Sequence, residues 1–406
     1  MLRCGLIGRS LSHSFSPGIH RMIGGYEYGL YEVEREDLEV FLNKTELDGL
    51  NVTIPYKKDV IPLCRELSPR AAEAGSVNTM IRLPGGGWLG ENTDYDGFLY
   101  MLGPDAEAMR GKKALVLGSG GASAAVCAVL RDAGVPYTVI SRSGENNYGS
   151  LQKHAGAQII INATPVGMYP NNGETPVDLK NFPRCELVLD VIYNPARTAL
   201  LLCAEDMGVR TRNGLSMLVA QAVRAGELFL GKKLDGGLVG SICAGIGAAT
   251  RNVSLIGMPG CGKSTVAHQL SRLTGRPVED TDTIVEAMAG MSIPDIFAKY
   301  GERHFRALET QALSGVSKKS GIIIATGGGI VETPENRRLI RQNGVCVFLE
   351  RDLSELDTEG RPLSLTEGVS GLYARREHLY RSWSDRTFRN DDPLKTAQNI
   401  KEAFGL

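Results

Sequence analysis

The stretch Val253-Ser-Leu-Ile-Gly257-Met-Pro-Gly-Cys-Gly-Lys263-Ser264-Thr265 decides the fold of the C-terminal part of this 406-residue chain. Four apolar residues, VSLI, read as a buried strand. The spacing GxxxxGK[ST] follows directly, and the pattern over residues 266–273 opens a helix. Strand, glycine loop and helix in this order make a phosphate cradle. Glycines let backbone N–H groups turn inward, and the helix N-terminus adds partial positive charge. The spacing predicts that Gly260, Cys261, Gly262, Lys263, Ser264 and Thr265 surround the phosphates of a nucleoside triphosphate. Lys263 reaches the β- and γ-phosphates, and Ser264 ligates Mg²⁺.

Outward from this loop, short apolar runs alternate with helix-length amphipathic segments. Residues 2–7, 115–117, 137–140, 159–161, 187–191, 322–325 and 345–349 read as buried strands. Such alternation predicts an α/β chain with parallel sheets covered on both faces and ligands at the carboxyl ends of the strands. A second strand–glycine-loop–helix unit, Val116-Leu-Gly118-Ser119-Gly120-Gly121-Ala122-Ser123, differs from the first motif, so the two are not a repeat. The gly/ala-rich stretch 236–250 is the expected seam between two domains.

Composition narrows the function. Basic and acidic residues number 45 and 46, a net charge of −1, which gives no support to a nucleic-acid or membrane-surface role. Eight cysteines form no CxxC pair and no cluster with zinc spacing, which fits reduced thiols in a cytoplasmic protein. The N-terminus lacks the pattern of a signal peptide, and the apolar stretch 238–250 is too short for a membrane span of about 20 residues. Small-molecule partners are expected.

After the phosphate loop comes Asp280-Thr-Asp282. One carboxylate there can hold Mg²⁺ through water, and the other can orient an attacking hydroxyl. Gly301-Glu-Arg-His-Phe-Arg306-Ala-Leu-Glu309 places Arg306 on an amphipathic helix, and Gly327-Gly328-Gly329 follows a strand. Arg361-Pro-Leu and Arg376-Glu-His-Leu-Tyr380 bracket a polar stretch suited to a lid. Together, over about residues 251–406, these elements resemble shikimate kinase. The resemblance implies that Asp282 contacts the reacting hydroxyl of shikimate and that Asp280 supports Mg²⁺. It implies that Arg306 and Arg376 clamp the carboxylate beside the Gly328 backbone, and that Arg361 reaches ATP. Only 14 residues separate Arg361 from Arg376, and Ser364 stands where the family usually has Leu. A shortened lid predicts weaker water exclusion and some futile ATP hydrolysis.

In the first half, the glycine turn alone does not establish a cofactor, because it ends in Ser123. The next strand discriminates. It ends in Ser141-Arg142-Ser143, a guanidinium between hydroxyls with no acid, which favours the 2′-phosphate of NADP over NAD. Upstream lie Ser14-Phe-Ser16, Asn51-Val-Thr53-Ile-Pro55-Tyr-Lys57, Ser76-Val-Asn78-Thr79 and Asn92-Thr93-Asp94-Tyr-Asp96-Gly97. Alternation predicts Asn51, Thr53, Pro55 and Lys57 on one face. Hydroxyls, amides, one lysine and one aspartate suit a polyhydroxylated ring acid. Over about residues 1–248 these elements, with NGLxMLVAQ, resemble shikimate dehydrogenase. The resemblance implies that Ser14, Ser16, Thr53, Asn78, Asp94, Tyr193 and Gln221 bind substrate. It places Gly118, Ser119, Gly120, Gly121 and Ala122 on the dinucleotide, and the backbone at Val191 and Gly214 near its nicotinamide. Lys57 and Asp94 form the implied catalytic pair, and His13 is structural.

The chain is therefore expected to hold a two-lobed dehydrogenase at 1–248, followed by a P-loop kinase at 249–406. The substrate lobe comprises 1–103 plus 215–248, and a Rossmann-like NADP lobe comprises 104–214. The first enzyme would make shikimate and the second would phosphorylate it. Two rival readings are an active dehydrogenase carrying a degraded, regulatory kinase-like module, and a dehydrogenase preferring quinate or NAD.

Overall fold

The computed structural model describes residues 1–11, 14–103, 105–356 and 368–406. They pack into two units. One comprises residues 1–168, 173–193 and 203–244, and the other comprises 169–172, 194–202 and 245–406.

The first unit holds two sheets, each with its own apolar core. The N-terminal sheet runs β2-β1-β3-β5-β6-β4, with β1 (Leu2–Gly8), β2 (Tyr26–Glu32), β3 (Gly49–Val52), β4 (Glu66–Leu67), β5 (Thr79–Arg82) and β6 (Trp88–Glu91). It is mixed, contrary to the expectation of parallel sheets alone, because β5 runs antiparallel to β3 and β6. The reason is local. Leu83-Pro-Gly-Gly-Gly87 is too short for a parallel crossover, and it closes a hairpin in which Leu83 N–H donates to the Gly87 carbonyl at 3.1 Å.

The second sheet is wholly parallel, in the order β11-β10-β9-β7-β8. Its strands are β7 (Ala114–Leu117), β8 (Tyr137–Ile140), β9 (Ile159–Asn162), β10 (Leu187–Asp190) and β11 (Arg210–Arg212). Every residue of β7, β9 and β10 is buried, as their Ile/Val/Leu runs demand of strands covered on both faces. Ser123, which departs from the usual Gly or Ala, lies buried in the helix Gly121–Asp132, where a small side chain still fits against the sheet.

In the second unit the sheet is again parallel, in the order β13-β14-β12-β15-β16. The strands are β12 (Asn252–Ile256), β13 (Val278–Asp280), β14 (Ile323–Ala325), β15 (Gly344–Glu350) and β16 (Arg386–Arg389). β12 is central and fully buried, and the phosphate loop leaves its carboxyl end into the helix Lys263–Thr274. The stretch read as a seam is mostly a helix, Leu238–Thr250, with Val239 and Ile242 buried one turn apart. No helix among the described residues is long and apolar enough to cross a membrane.

One close approach ties the helix Leu215–Leu230 to the end of β10. Gly214 N–H donates to the Ile192 carbonyl at 2.9 Å, and a Cβ on Gly214 would overlap the carbonyl of Val191. Gly214→Ala should therefore destabilise the first unit by about 1–3 kcal/mol, the usual cost of overpacking. Denaturant unfolding measures this, and parental stability would show that the helix can retreat without cost.

Candidate active sites

Topology assembles the first site. β1 and β3 are parallel, β5 is reversed and β6 reversed again, so the chain after β1, after β3, before β5 and after β6 meets at one sheet edge. The segments gathered there are those carrying Ser14 and Ser16, Thr53 and Lys57, Ser76 and Asn78, and Asn92 to Asp94. The expected alternation stops early. β3 ends at Val52 and a turn follows, so Lys57 reaches the edge from that turn rather than from a strand face. Asn51 faces inward instead. It accepts from Tyr28 Oη at 2.7 Å and donates to Thr79 Oγ1 at 3.1 Å.

Lys57 Nζ donates to Asp94 Oδ2 at 2.6 Å. The Asp94 side chain is 8% exposed and that of Lys57 is 21% exposed, so the pair sits mostly out of water. Asn78 supports the aspartate from beneath, because its Oδ1 accepts from the Thr93 N–H at 2.7 Å at the start of the helix Asp94–Leu102. Asn92 Nδ2 donates to the Ser76 carbonyl at 2.8 Å and joins the same two segments. The Ser14 hydroxyl accepts from Ser16 N–H at 3.2 Å. Thr53 packs next to Gly8 at the end of β1. Tyr193 lies with its ring 5.3 Å from that of Phe15. Gln221 Nε2 donates to the Leu218 carbonyl at 2.8 Å, and its Oε1 comes within 3.5 Å of Thr93 Oγ1.

The dinucleotide loop meets this edge. A Cβ on Gly121 would lie 3.4 Å from Ser76 Oγ and 3.6 Å from Lys57 Cδ, so the first turn of the helix Gly121–Asp132 abuts the lysine. Ser119 and Gly120 are exposed, and Gly121 and Ala122 are half-buried. Gly118 adopts φ 104°, which sharpens the turn out of β7. Arg142 and Ser143 are exposed just past β8, and Ser141 Oγ donates to the Ser143 carbonyl. His13 lies outside the described residues.

At the second site, the buried Lys263 Nζ donates to the carbonyls of Gly257 and Met258, each at 3.0 Å. An ammonium has three donors, which leaves one for a phosphate oxygen. Asn390 Nδ2 donates to the Cys261 carbonyl at 2.7 Å and braces the loop. Ser264 Oγ donates to Asp280 Oδ2 at 2.8 Å. The other Asp280 oxygen caps the helix Thr281–Ala289, accepting from the N–H of Asp282 at 3.0 Å and of Thr283 at 3.4 Å. The capping bonds hold Asp282 in the first helical turn.

Gly301, at φ 79°, breaks the helix Ile293–Val316, and the segment beyond it carries Arg306 and Glu309. Arg306 bonds Glu309 at 2.9 Å, Glu302 at 3.0 Å and Glu332 at 2.9 Å. Gly327 and Gly329 are required by what they meet. A Cβ on Gly327 would stand 2.6 Å from both Asp282 Oδ1 and Glu309 Oε1, and one on Gly329 would overlap the Arg306 guanidinium. Tyr380 Oη donates to the Gly328 carbonyl at 2.5 Å. Arg376, 1% exposed, reaches Glu332 at 2.5 Å. Arg306 and Arg376 thus converge, but on an internal carboxylate that the sequence did not single out. Arg361 and Ser364 lie outside the described residues. Among the described residues, no group of three or more His, Cys, Asp or Glu could hold a metal. The Ser264–Asp280 oxygen pair nonetheless suits Mg²⁺, which takes few protein ligands and completes its shell with phosphate and water.

Two centres are thus defined: a dinucleotide loop abutting a polar pocket, and a phosphate loop abutting an arginine pair. The family model "shikimate dehydrogenase substrate binding domain" matches residues 6–80, and the shikimate kinase model matches residues 259–404. A shikimate dehydrogenase (NADP(+)) of Clostridium beijerinckii is 37% identical over 254 residues, 57% of this chain and 93% of the relative. The crystal structure of a Thermus thermophilus shikimate 5-dehydrogenase with NADP(H) and shikimate aligns at 30% identity and TM-score 0.55, covering 60% of this chain and 98% of that one. A chorismate mutase/shikimate 5-dehydrogenase fusion protein from Clostridium acetobutylicum aligns at 36% identity and TM-score 0.57, covering 61% and 97%. The chain belongs to the shikimate dehydrogenase family and carries a shikimate kinase domain in the same polypeptide. Nothing in these matches favours a degraded kinase.

Glu309 is a strongly perturbed carboxyl of the second site. Burial pushes it up to about 7, and the neighbouring Arg306 only partly offsets this. The folded state therefore keeps a proton that the unfolded chain releases near 4.5. The corresponding stability is present below that pH and is lost as pH rises through about 7. Between about pH 5 and about pH 8, the thermal transition that ATP shifts should fall less in Glu309→Gln than in the parent. Equal falls would show Glu309 ionised throughout.

Proposed function

We propose that the first site reduces 3-dehydroshikimate to shikimate with NADPH, and that the second transfers the γ-phosphoryl of ATP to the shikimate 3-hydroxyl. The dehydrogenase reading is carried by the Lys57–Asp94 pair, 2.6 Å long, set under the first turn of the dinucleotide-loop helix. Bound NADPH supplies a hydride to the ring carbonyl carbon. Lys57 Nζ stabilises the negative charge growing on the carbonyl oxygen and delivers a proton to it, while Asp94 holds the lysine in line and accepts a ring hydroxyl. Ser14, Ser16, Thr53, Asn78, Tyr193 and Gln221 orient the remaining hydroxyls and the carboxylate. Arg142, flanked by Ser141 and Ser143, takes the 2′-phosphate. Gly118 to Ala122 carry the pyrophosphate, and the backbone at Val191 and Gly214 borders the nicotinamide.

In the second site Asp282 orients the 3-hydroxyl and accepts its proton as the phosphoryl group transfers. Arg306 and Arg376 hold the ring carboxylate, whose geometry matches their forks, with the Gly328 backbone beside it. Residues 260–265 cradle the phosphates, and Lys263 screens their charge. Ser264 and Asp280 would hold Mg²⁺, which would neutralise developing charge on the phosphates. Arg361 would reach ATP from the lid. The functional division we propose is 1–248 for the reductase and 249–406 for the kinase, with lobes 1–103 plus 215–248 and 104–214 in the reductase. Eight free thiols suit a reducing, cytoplasmic compartment.

Crossed variants test the assignment. Lys57→Ala should slow reduction by at least ~10²-fold, the size of a lost proton-transfer group, while kinase turnover stays intact. Asp282→Asn should do the reverse, abolishing phosphoryl transfer and sparing reduction. Retained reduction in the first variant, or retained phosphorylation in the second, would remove that residue from the chemistry.

A further inference from the structure

We infer that Glu332 is a resident substitute for the substrate carboxylate, one that occupies the arginine clamp of the kinase site and must be displaced when shikimate binds. This inference rests on the reading that Arg306 and Arg376 bind that carboxylate.

Geometry comes first. One Glu332 oxygen, Oε2, accepts from Arg306 at 2.9 Å and from Arg376 at 2.5 Å. Its other oxygen, Oε1, accepts from Arg375 at 2.9 Å. An incoming carboxylate that used the same two guanidinium groups would want the same position.

Charge points the same way. Three guanidinium groups, on Arg306, Arg375 and Arg376, face three carboxyl groups, on Glu302, Glu309 and Glu332. Near neutrality Glu309 is partly protonated, so the surplus is at most about one positive charge, and both clamp arginines already share Glu332. One internal carboxylate has to give way, and the three differ in their freedom to do so. Glu309 is fully buried and bonds Arg306 alone among the three arginines. Glu302 is largely exposed and also bonds only Arg306. Glu332 bridges both clamp arginines, its side chain is 19% exposed, and it ends the short 3₁₀ turn Ile330–Glu332. Ile330 and Val331 are buried, so the backbone stays anchored while the last side chain can rotate to water.

The arrangement pairs two poorly hydrated guanidinium groups before substrate arrives and sets the affinity for the acid. Substrate exchanges one set of charge-assisted bonds for another, and its apparent affinity is lowered by the strength of the set it breaks. Kinase steady-state rates of the full chain, with ATP and Mg²⁺ and without NADP, measure this. Glu332→Gln keeps the shape and removes the charge. It should lower the KM for shikimate by at least about threefold, the scale of a part-exposed ion pair, with kcat and the KM for ATP little changed. Glu332→Asp, one methylene shorter, is the second variant should the first fail to fold, and it should lower the KM in the same direction by less. A raised or unchanged KM in the folded variant overturns the inference, because a mere support for the arginines would raise it on removal. Arg376→Met serves as the separate arm. If it leaves the KM for shikimate unchanged, the clamp reading itself fails. If it raises the KM while Glu332→Gln does not lower it, only the role of Glu332 is lost.

Discussion

A charge taken out of water needs a partner, and both active sites are organised by that constraint. In the reductase, Lys57 and Asp94 satisfy each other across 2.6 Å, mostly out of water. Either group alone would face a desolvation penalty of several kcal/mol, so the two segments that carry them must fold against each other. In the kinase, Arg376 is almost fully buried and is held by Glu332, which it shares with Arg306. Glu309 meets the same constraint differently, with its carboxyl pushed up until it titrates near neutrality. These same pairs line the sites at which we propose that ring acids bind.

Backbone topology makes these pairings possible. In the first sheet the reversal at β5 brings four chain segments to one edge, and the tight hairpin before β6 makes that reversal compulsory. In the last sheet, parallel strands deliver the phosphate loop after β12, Asp280 at the end of β13 and the glycine run after β14 to one edge. The glycines at 327 and 329 then admit Asp282, Glu309 and Arg306 where any side chain would collide. The polypeptide thus places two sites for chemically similar ring acids in one chain, each on its own sheet.

Much of this was legible in the residues. The strand runs fell within a residue or two of the observed elements, because Ile/Val/Leu runs bounded by glycine have few alternatives to a buried strand. Lys57, Asp94, Lys263, Ser264 and Asp280 stand in contacts that suit the roles expected of them, since each belongs to a motif in which neighbours in sequence are neighbours in space. What escaped was set by long-range packing. The turn after Val52 broke the inferred alternation, and the mixed first sheet followed from a hairpin rather than from periodicity. Asn390 and Glu332 carried no local signal, for their partners Cys261 and Arg376 lie far away in the chain. Glu309 lies within a local motif, yet only burial beside Arg306 reveals its altered titration.

On the proposed function, one polypeptide carries two consecutive reactions on a single ring acid. The purified full chain, given 3-dehydroshikimate, NADPH, ATP and Mg²⁺ together, provides the most direct measurement, with products identified by mass. The expected product is shikimate 3-phosphate, formed with consumption of both NADPH and ATP. Accumulation of unphosphorylated shikimate, or recovery of unreduced starting material, would contradict it.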